Sequence, residues 1–84
     1  MGENGKASMT LDALEVGACA IIDGVNGSGE LRRHLLDMGL TPGVGVRLRK
    51  VAPMGDPIEI RVRGYELTLR VEDGQKIQVE EVKA

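Results

Sequence analysis

Residues 44–71 read VGVRLRKVAPMGDPIEIRVRGYELTLRV, three runs of alternating apolar and polar residues joined by a proline-bracketed loop and a tight turn. Val44, Val46 and Leu48 fall on one side with Arg47 and Arg49 on the other. Ile58, Ile60 and Val62 oppose Glu59, Arg61 and Arg63, and Leu67, Leu69 and Val71 oppose Glu66, Thr68 and Arg70. Successive strand side chains point to opposite faces, so this period of two predicts an antiparallel β-meander with one face on a core and one in water. No catalytic constellation interrupts the pattern, which puts function on the surface rather than in buried chemistry.

The whole chain is 84 residues, a length for one domain that buries roughly 60–65% of its unfolded surface and has little room for an enclosed active site. Its 11 Lys plus Arg and 13 Asp plus Glu give a net charge of −2, with no bulk attraction to phosphate backbones or anionic lipid. The distribution is uneven: Arg47, Arg49, Lys50, Arg61, Arg63 and Arg70 take the wet side of the central strands, while Glu72, Asp73, Glu80 and Glu81 gather toward the C-terminus. Cys19 is the one cysteine and His34 the one histidine. No intramolecular disulfide can form, a structural zinc site of Cys/His type is excluded, and the reducing cytosol is the expected compartment. No segment reaches the ~20 apolar residues that span a bilayer, and residues 1–8 have neither a basic start nor an apolar run, so they read as a disordered tail or a cloning remnant. A single domain is expected over residues 9–84.

Outside the meander, Thr10 is placed to cap a short helical turn, TLDAL, which folds Leu11 and Leu14 onto the core before Gly17. The run ACAIID at 18–23 predicts a strand buried on much of both faces. Ser28 can cap a helix to about Met38, with Leu31, Leu35 and Met38 as an apolar stripe, Leu36 widening it, and Arg32, Arg33 and Asp37 in water. Gly39 and Leu40 read as a Schellman stop, and Thr41, Pro42 and Gly43 as a type II turn. A tight turn at 72–75 and a last strand at 76–82, with Ile77 and Val79 inward, complete the chain. About five strands and one amphipathic helix with short connections predict a mainly β fold, a small partly open barrel plugged at one end by the helix.

At MGLTPGVGV (38–46) and VAPMGDPIEIRVRGYELTLR (51–70) the sequence resembles the FeoA family, small cytosolic proteins of bacterial ferrous iron transport. The resemblance extends over about residues 10–82, and Asp73 and Gly74 depart from the acidic-Ala pair common before the last strand. It implies an SH3-like barrel and a role without a reaction: assistance to FeoB, a membrane transporter with a cytosolic GTP-binding domain. With no G-x-x-x-x-G-K-[ST] loop in the chain, nucleotide chemistry would belong to that partner. A related domain ends the metal-dependent repressors of the DtxR type, but no helix-turn-helix precedes the barrel in this sequence, so a free-standing module at the inner face of the plasma membrane fits better.

No catalytic, cofactor or metal residues are assigned. Cys19 and His34 are too few for a metal site, and a lone buried Cys is ordinary packing. His34 and Asp37 read as a surface ion pair. The expected partner-binding residues are Arg32, Arg33 and Leu36 on the helix, and Met54 and Asp56 in the APMGDP loop. Arginine supplies charge complementarity and methionine an adaptable apolar contact, whereas the competing reading of the loop has Asp56 bonded within its own turn. Open barrel edges and the Met54 loop leave room for weak self-association. A polyproline-binding groove is excluded by the lack of Trp and Phe, and an RNA-binding barrel is disfavoured by net charge and missing stacking aromatics.

Overall fold

In the computed structural model, which describes residues 8–27 and 29–82, the meander forms as expected. Strands β1 (Ser8–Thr10), β2 (Cys19–Val25), β3 (Gly45–Val51), β4 (Ile58–Val62), β5 (Tyr65–Leu69) and β6 (Ile77–Val82) make one antiparallel sheet in the order β1-β6-β2-β3-β4-β5. Helix α1 covers Gly29–Asp37, a single turn α2 covers Val71–Gly74, and a 3₁₀ turn covers Leu11–Ala13. Register follows the apolar positions: Val46 pairs with Val62, Leu48 with Ile60, and Ile58 with Leu69. These side chains, together with Leu11, Ile22, Leu35, Leu40, Ile77 and Val79, fill the core, and no polar or charged side chain among the described residues is buried.

The short-range signals are realised in detail. Gly39 takes φ +100°, the Leu40 N–H donates to the Leu35 carbonyl at 3.3 Å and the Gly39 N–H to the Leu36 carbonyl at 3.0 Å, which together are a Schellman motif. The Tyr65 hydroxyl donates to the Met38 carbonyl, tying the end of α1 to the β4–β5 hairpin. Gly43 at φ +91° and the Val44 N–H donating to the Thr41 carbonyl at 3.2 Å make the type II turn. Arg63 and Gly64 both have positive φ, 51° and 85°, the requirement of a two-residue type I′ hairpin turn. Ser28, the expected cap of α1, lies outside the described residues, as do residues 1–7 of the expected tail.

Four expectations are corrected. Among the described residues there are six strands rather than about five, because Ser8, assigned to the tail, opens a short edge strand that pairs with Glu80. The 18–23 run is buried on one face only: Ala20 and Ile22 point inward while Cys19, Ile21 and Asp23 are exposed. A bulge at Asp23 then shifts the parity, so that Val25 opposite Ile77 returns to the core. Strand β5 ends at Leu69 instead of running to Val71, since β4 begins at Ile58 just after Pro57, which has no N–H with which to extend the ladder. The turn that follows is a single α-helical turn beginning at Val71. It packs on the 3₁₀ turn across the opening between edge strands β1 and β5: a Cβ on Gly74 would stand 3.3 Å from both Cβ and the backbone N of Asp12.

Candidate functional site

The expected docking residues fall into two groups at opposite ends of β3, whose seven residues span about 20 Å. Arg32, Arg33 and Leu36 ride on α1, which the Tyr65–Met38 bond holds at the hairpin end of the sheet. Met54 and Asp56 sit in the β3–β4 loop at the other end, where the Ala52 N–H donates to the Pro57 carbonyl at 3.0 Å and the Gly55 N–H to the Ala52 carbonyl at 2.7 Å. The fold does not bring the two groups together.

Within each group the side chains have different duties. Arg32 is exposed, but its Nε–H donates to the Val25 carbonyl at 3.2 Å and so pins α1 to the end of β2. Leu36 is half-buried against the core. The Asp56 carboxylate accepts the Val71 N–H at 3.0 Å, so it bonds the first turn of α2 rather than its own loop. Arg33 and Met54 remain: both are exposed, and neither makes a hydrogen bond or ion pair among the described residues. Met54 is the most open large apolar side chain described, at 92% exposure.

Cys19 is exposed, not packed in a core, because odd positions of β2 before the bulge face outward. It stands opposite Val82 on one side and Arg47 on the other. His34 is exposed on α1 and forms no ion pair with Asp37. Among the described residues no three Cys, His, Asp or Glu side chains gather as metal ligands would.

The wet face of the meander carries the arginines where the alternation put them, but their pairing was not legible in the sequence. A bulge at Arg49 leaves that residue without an opposite partner, and its guanidinium reaches over β4 to the Glu66 carboxylate. Arg47 instead lies directly opposite Arg61, two like charges side by side.

The FeoA domain family matches residues 9–81 of this sequence. The chain belongs to the FeoA family. A solved FeoA-like protein from Clostridium acetobutylicum is 34% identical and superposes with a TM-score of 0.85, covering 92% of this chain and 90% of that one. The FeoA of Stenotrophomonas maltophilia, solved with zinc and described as a prokaryotic SH3 domain protein, is 25% identical with a TM-score of 0.76, over 84% of this chain and 88% of the other. The six-stranded sheet is accordingly the SH3-like FeoA fold, and a FeoA domain is a non-enzymatic accessory module. A Fe(2+) transport protein A/FeoB fusion protein of Porphyromonas gingivalis is 39% identical over 72 residues, 86% of this chain; the chain spans 8% of the length of that relative.

Proposed function

We propose that this FeoA domain docks on the cytosolic GTP-binding part of a FeoB-type transporter and acts there by contact alone. The chain is a FeoA-family protein of ferrous iron transport. The observation that carries the finer reading is the fusion: a FeoA-like segment 39% identical to this chain shares one polypeptide with FeoB in the Porphyromonas gingivalis relative. Tethering holds two modules at an effective concentration of about 1 mM, a condition that matters only for modules that touch. No helix among the described residues is long and apolar enough to cross a membrane, so the membrane-spanning part in this reading is the partner's. Arg33 and Met54, exposed at the two ends of β3, are proposed as rim contacts, where charge and adaptable apolar reach tune association.

The test is a calorimetric titration of this chain against the isolated cytosolic domain of the transporter, with and without guanine nucleotide. Saturable binding is expected. No binding up to about 1 mM, a contact worth no more than ~4 kcal/mol, would remove docking on that domain.

A further inference from the structure

The outer face of β2, β3 and β4 combines three features. First, Arg47 and Arg61 stand directly opposite each other with Arg63 following in the β4–β5 turn, and none of the three forms an ion pair among the described residues. Opposed like charges weaken a sheet. Glu66, directly opposite Arg61 on β5, has its carboxylate engaged by Arg49 instead. Second, apolar side chains are left in water beside them: Ile21 is 37% exposed, Val82 48% and Val16 62%. Third, Gly45 and Gly64 carry no side chain, which opens a shallow groove of about 420 Å³ between Ile21 and Val82 on one wall and Arg47, Arg61 and Arg63 on the other. A second cleft of similar size, about 420 Å³, shares Arg47 and Arg61 and is closed by Val16.

We infer that this face is the centre of a protein-docking site whose occupant is an acidic segment with apolar side chains: carboxylates meet the Arg47–Arg61 pair while an apolar side chain lies over Gly45 against Ile21. Guanidinium groups that already face water in a partly apolar setting form strong, directional bonds to carboxylates when a partner displaces that water. Charge selects this occupant over a second copy of the chain. The Arg47, Arg61 and Arg63 edge repels its own image, and Glu80, the carboxylate on the far side of Ile21, already has a partner of its own. A patch of standard size, about 800 Å² and roughly 30 Å across, centred here reaches toward both ends of β3 and leaves Arg33 and Met54 at its rim, where single residues contribute less than at the centre. The inference rests on the docking reading for the identity of the partner but not for the chemistry of the face.

The test uses ¹⁵N-labelled full chain and two arms. In the first, a short peptide of alternating Glu and Leu is titrated and amide shifts are followed, with an alternating Lys and Leu peptide and a single-stranded RNA oligonucleotide as controls. Salt-sensitive shifts at residues 19–21, 45–47 and 61–64, produced by the Glu-Leu peptide and lost in Arg47→Glu/Arg61→Glu, are expected. The milder Arg47→Gln/Arg61→Gln pair guards against a folding defect and should lose at least half the shift. No shift up to about 1 mM peptide, shifts confined to α1 or the 52–57 loop, or stronger binding by RNA overturns the inference, as does an arginine-dependent dimer in sedimentation. In the second arm the transporter's cytosolic domain replaces the peptide. There the Arg47/Arg61 pair should raise Kd at least tenfold, against about threefold or less for Arg33→Glu or Met54→Asp. Equal binding by the Arg47/Arg61 pair overturns the surface and leaves the transporter reading standing. A positive peptide arm with no binding to the cytosolic domain does the reverse.

Discussion

Asp56→Ala separates a docking role of this residue from a structural one. The substitution deletes the carboxylate oxygen that accepts the Val71 N–H at 3.0 Å. Val71 is the first residue of α2, a turn of four residues, and the side chain of Arg70 at the N-cap position makes no capping bond. Asp56 therefore supplies, from the β3–β4 loop, an acceptor for the first N–H of a turn whose own N-cap side chain makes no capping bond. Truncating such caps costs about 0.5–2 kcal/mol, and an exposed carboxylate belongs near the middle, about 1 kcal/mol. Against a total stability of about 4–13 kcal/mol for a domain of 84 residues, that is a measurable share. It should lower Tm by about 4–8 °C. Urea titration gives the free energy, and hydrogen exchange at the Val71 amide reports the bond itself. Asp56→Asn keeps an oxygen acceptor without the charge and should lose about half as much. A loss under about 0.3 kcal/mol for Ala, with Val71 exchange unchanged, would refute the capping role and return Asp56 to the list of exposed docking residues.

Leu48→Ala removes a fully buried side chain at the centre of β3 and should cost about 2–5 kcal/mol by denaturant titration; a loss below about 1 kcal/mol would contradict the register. Gly39→Ala combines φ +100° with a Cβ placed 2.9 Å from the Tyr65 hydroxyl oxygen, so it should destabilise by about 1–3 kcal/mol, and Tyr65→Phe made in the same background should recover part of the clash but not the strain. Met54→Asp, at a side chain 92% exposed, should change stability by about 0.5 kcal/mol or less in a thermal melt. Arg47→Thr relieves the opposed pair with Arg61 and should stabilise by about 0.2–1 kcal/mol while weakening transporter binding; a destabilised variant would mean the pair is not repulsive in the folded state.

What was legible in the sequence was local. The meander follows from a period of two sustained over three runs, and the end of α1 from a glycine and a leucine whose only economical arrangement is a Schellman stop. What was hidden depended on partners far along the chain. Strand β1 is three residues with no periodicity of their own, and it exists because β6 offers backbone groups at residues 78–80. Cys19 and Ile21 are apolar side chains on a wet face, so the run 18–23 looks doubly buried until its register with β3 and β6 is known. Asp56 sits in a loop whose composition accounts for it locally, and only the placement of Val71 beside it reveals the cap. For the docking surface the same limit holds: alternation put Arg47, Arg49 and Arg61 in water, but the bulge at Arg49 decides which of them finds a carboxylate.

The distribution of conflict across the molecule points the same way. Inside, local preference and global packing agree: the described core contains no buried polar side chain, no buried side-chain nitrogen or oxygen among the described residues lacks a partner, and the helix stop at Gly39 and the turn at Gly43 place glycine at positive φ. A chain this consistent had little structural reason to set Arg47 against Arg61 or to leave Ile21, Val82 and Val16 in water around them. Polar residues in place of Ile21 and Val82, and one carboxylate opposite Arg47, would have served the fold better at no cost to its core. Among the described residues, three of the six exposed large apolar side chains, Val16, Ile21 and Val82, lie on the face that carries the opposed arginines, and the chemistry there is complementary, cations beside apolar side chains over a floor of glycine. On the docking inference, such a combination costs the free domain some stability and is compensated when something acidic and apolar covers it, so that the docked state, not the isolated domain, would be the one to which this surface is suited.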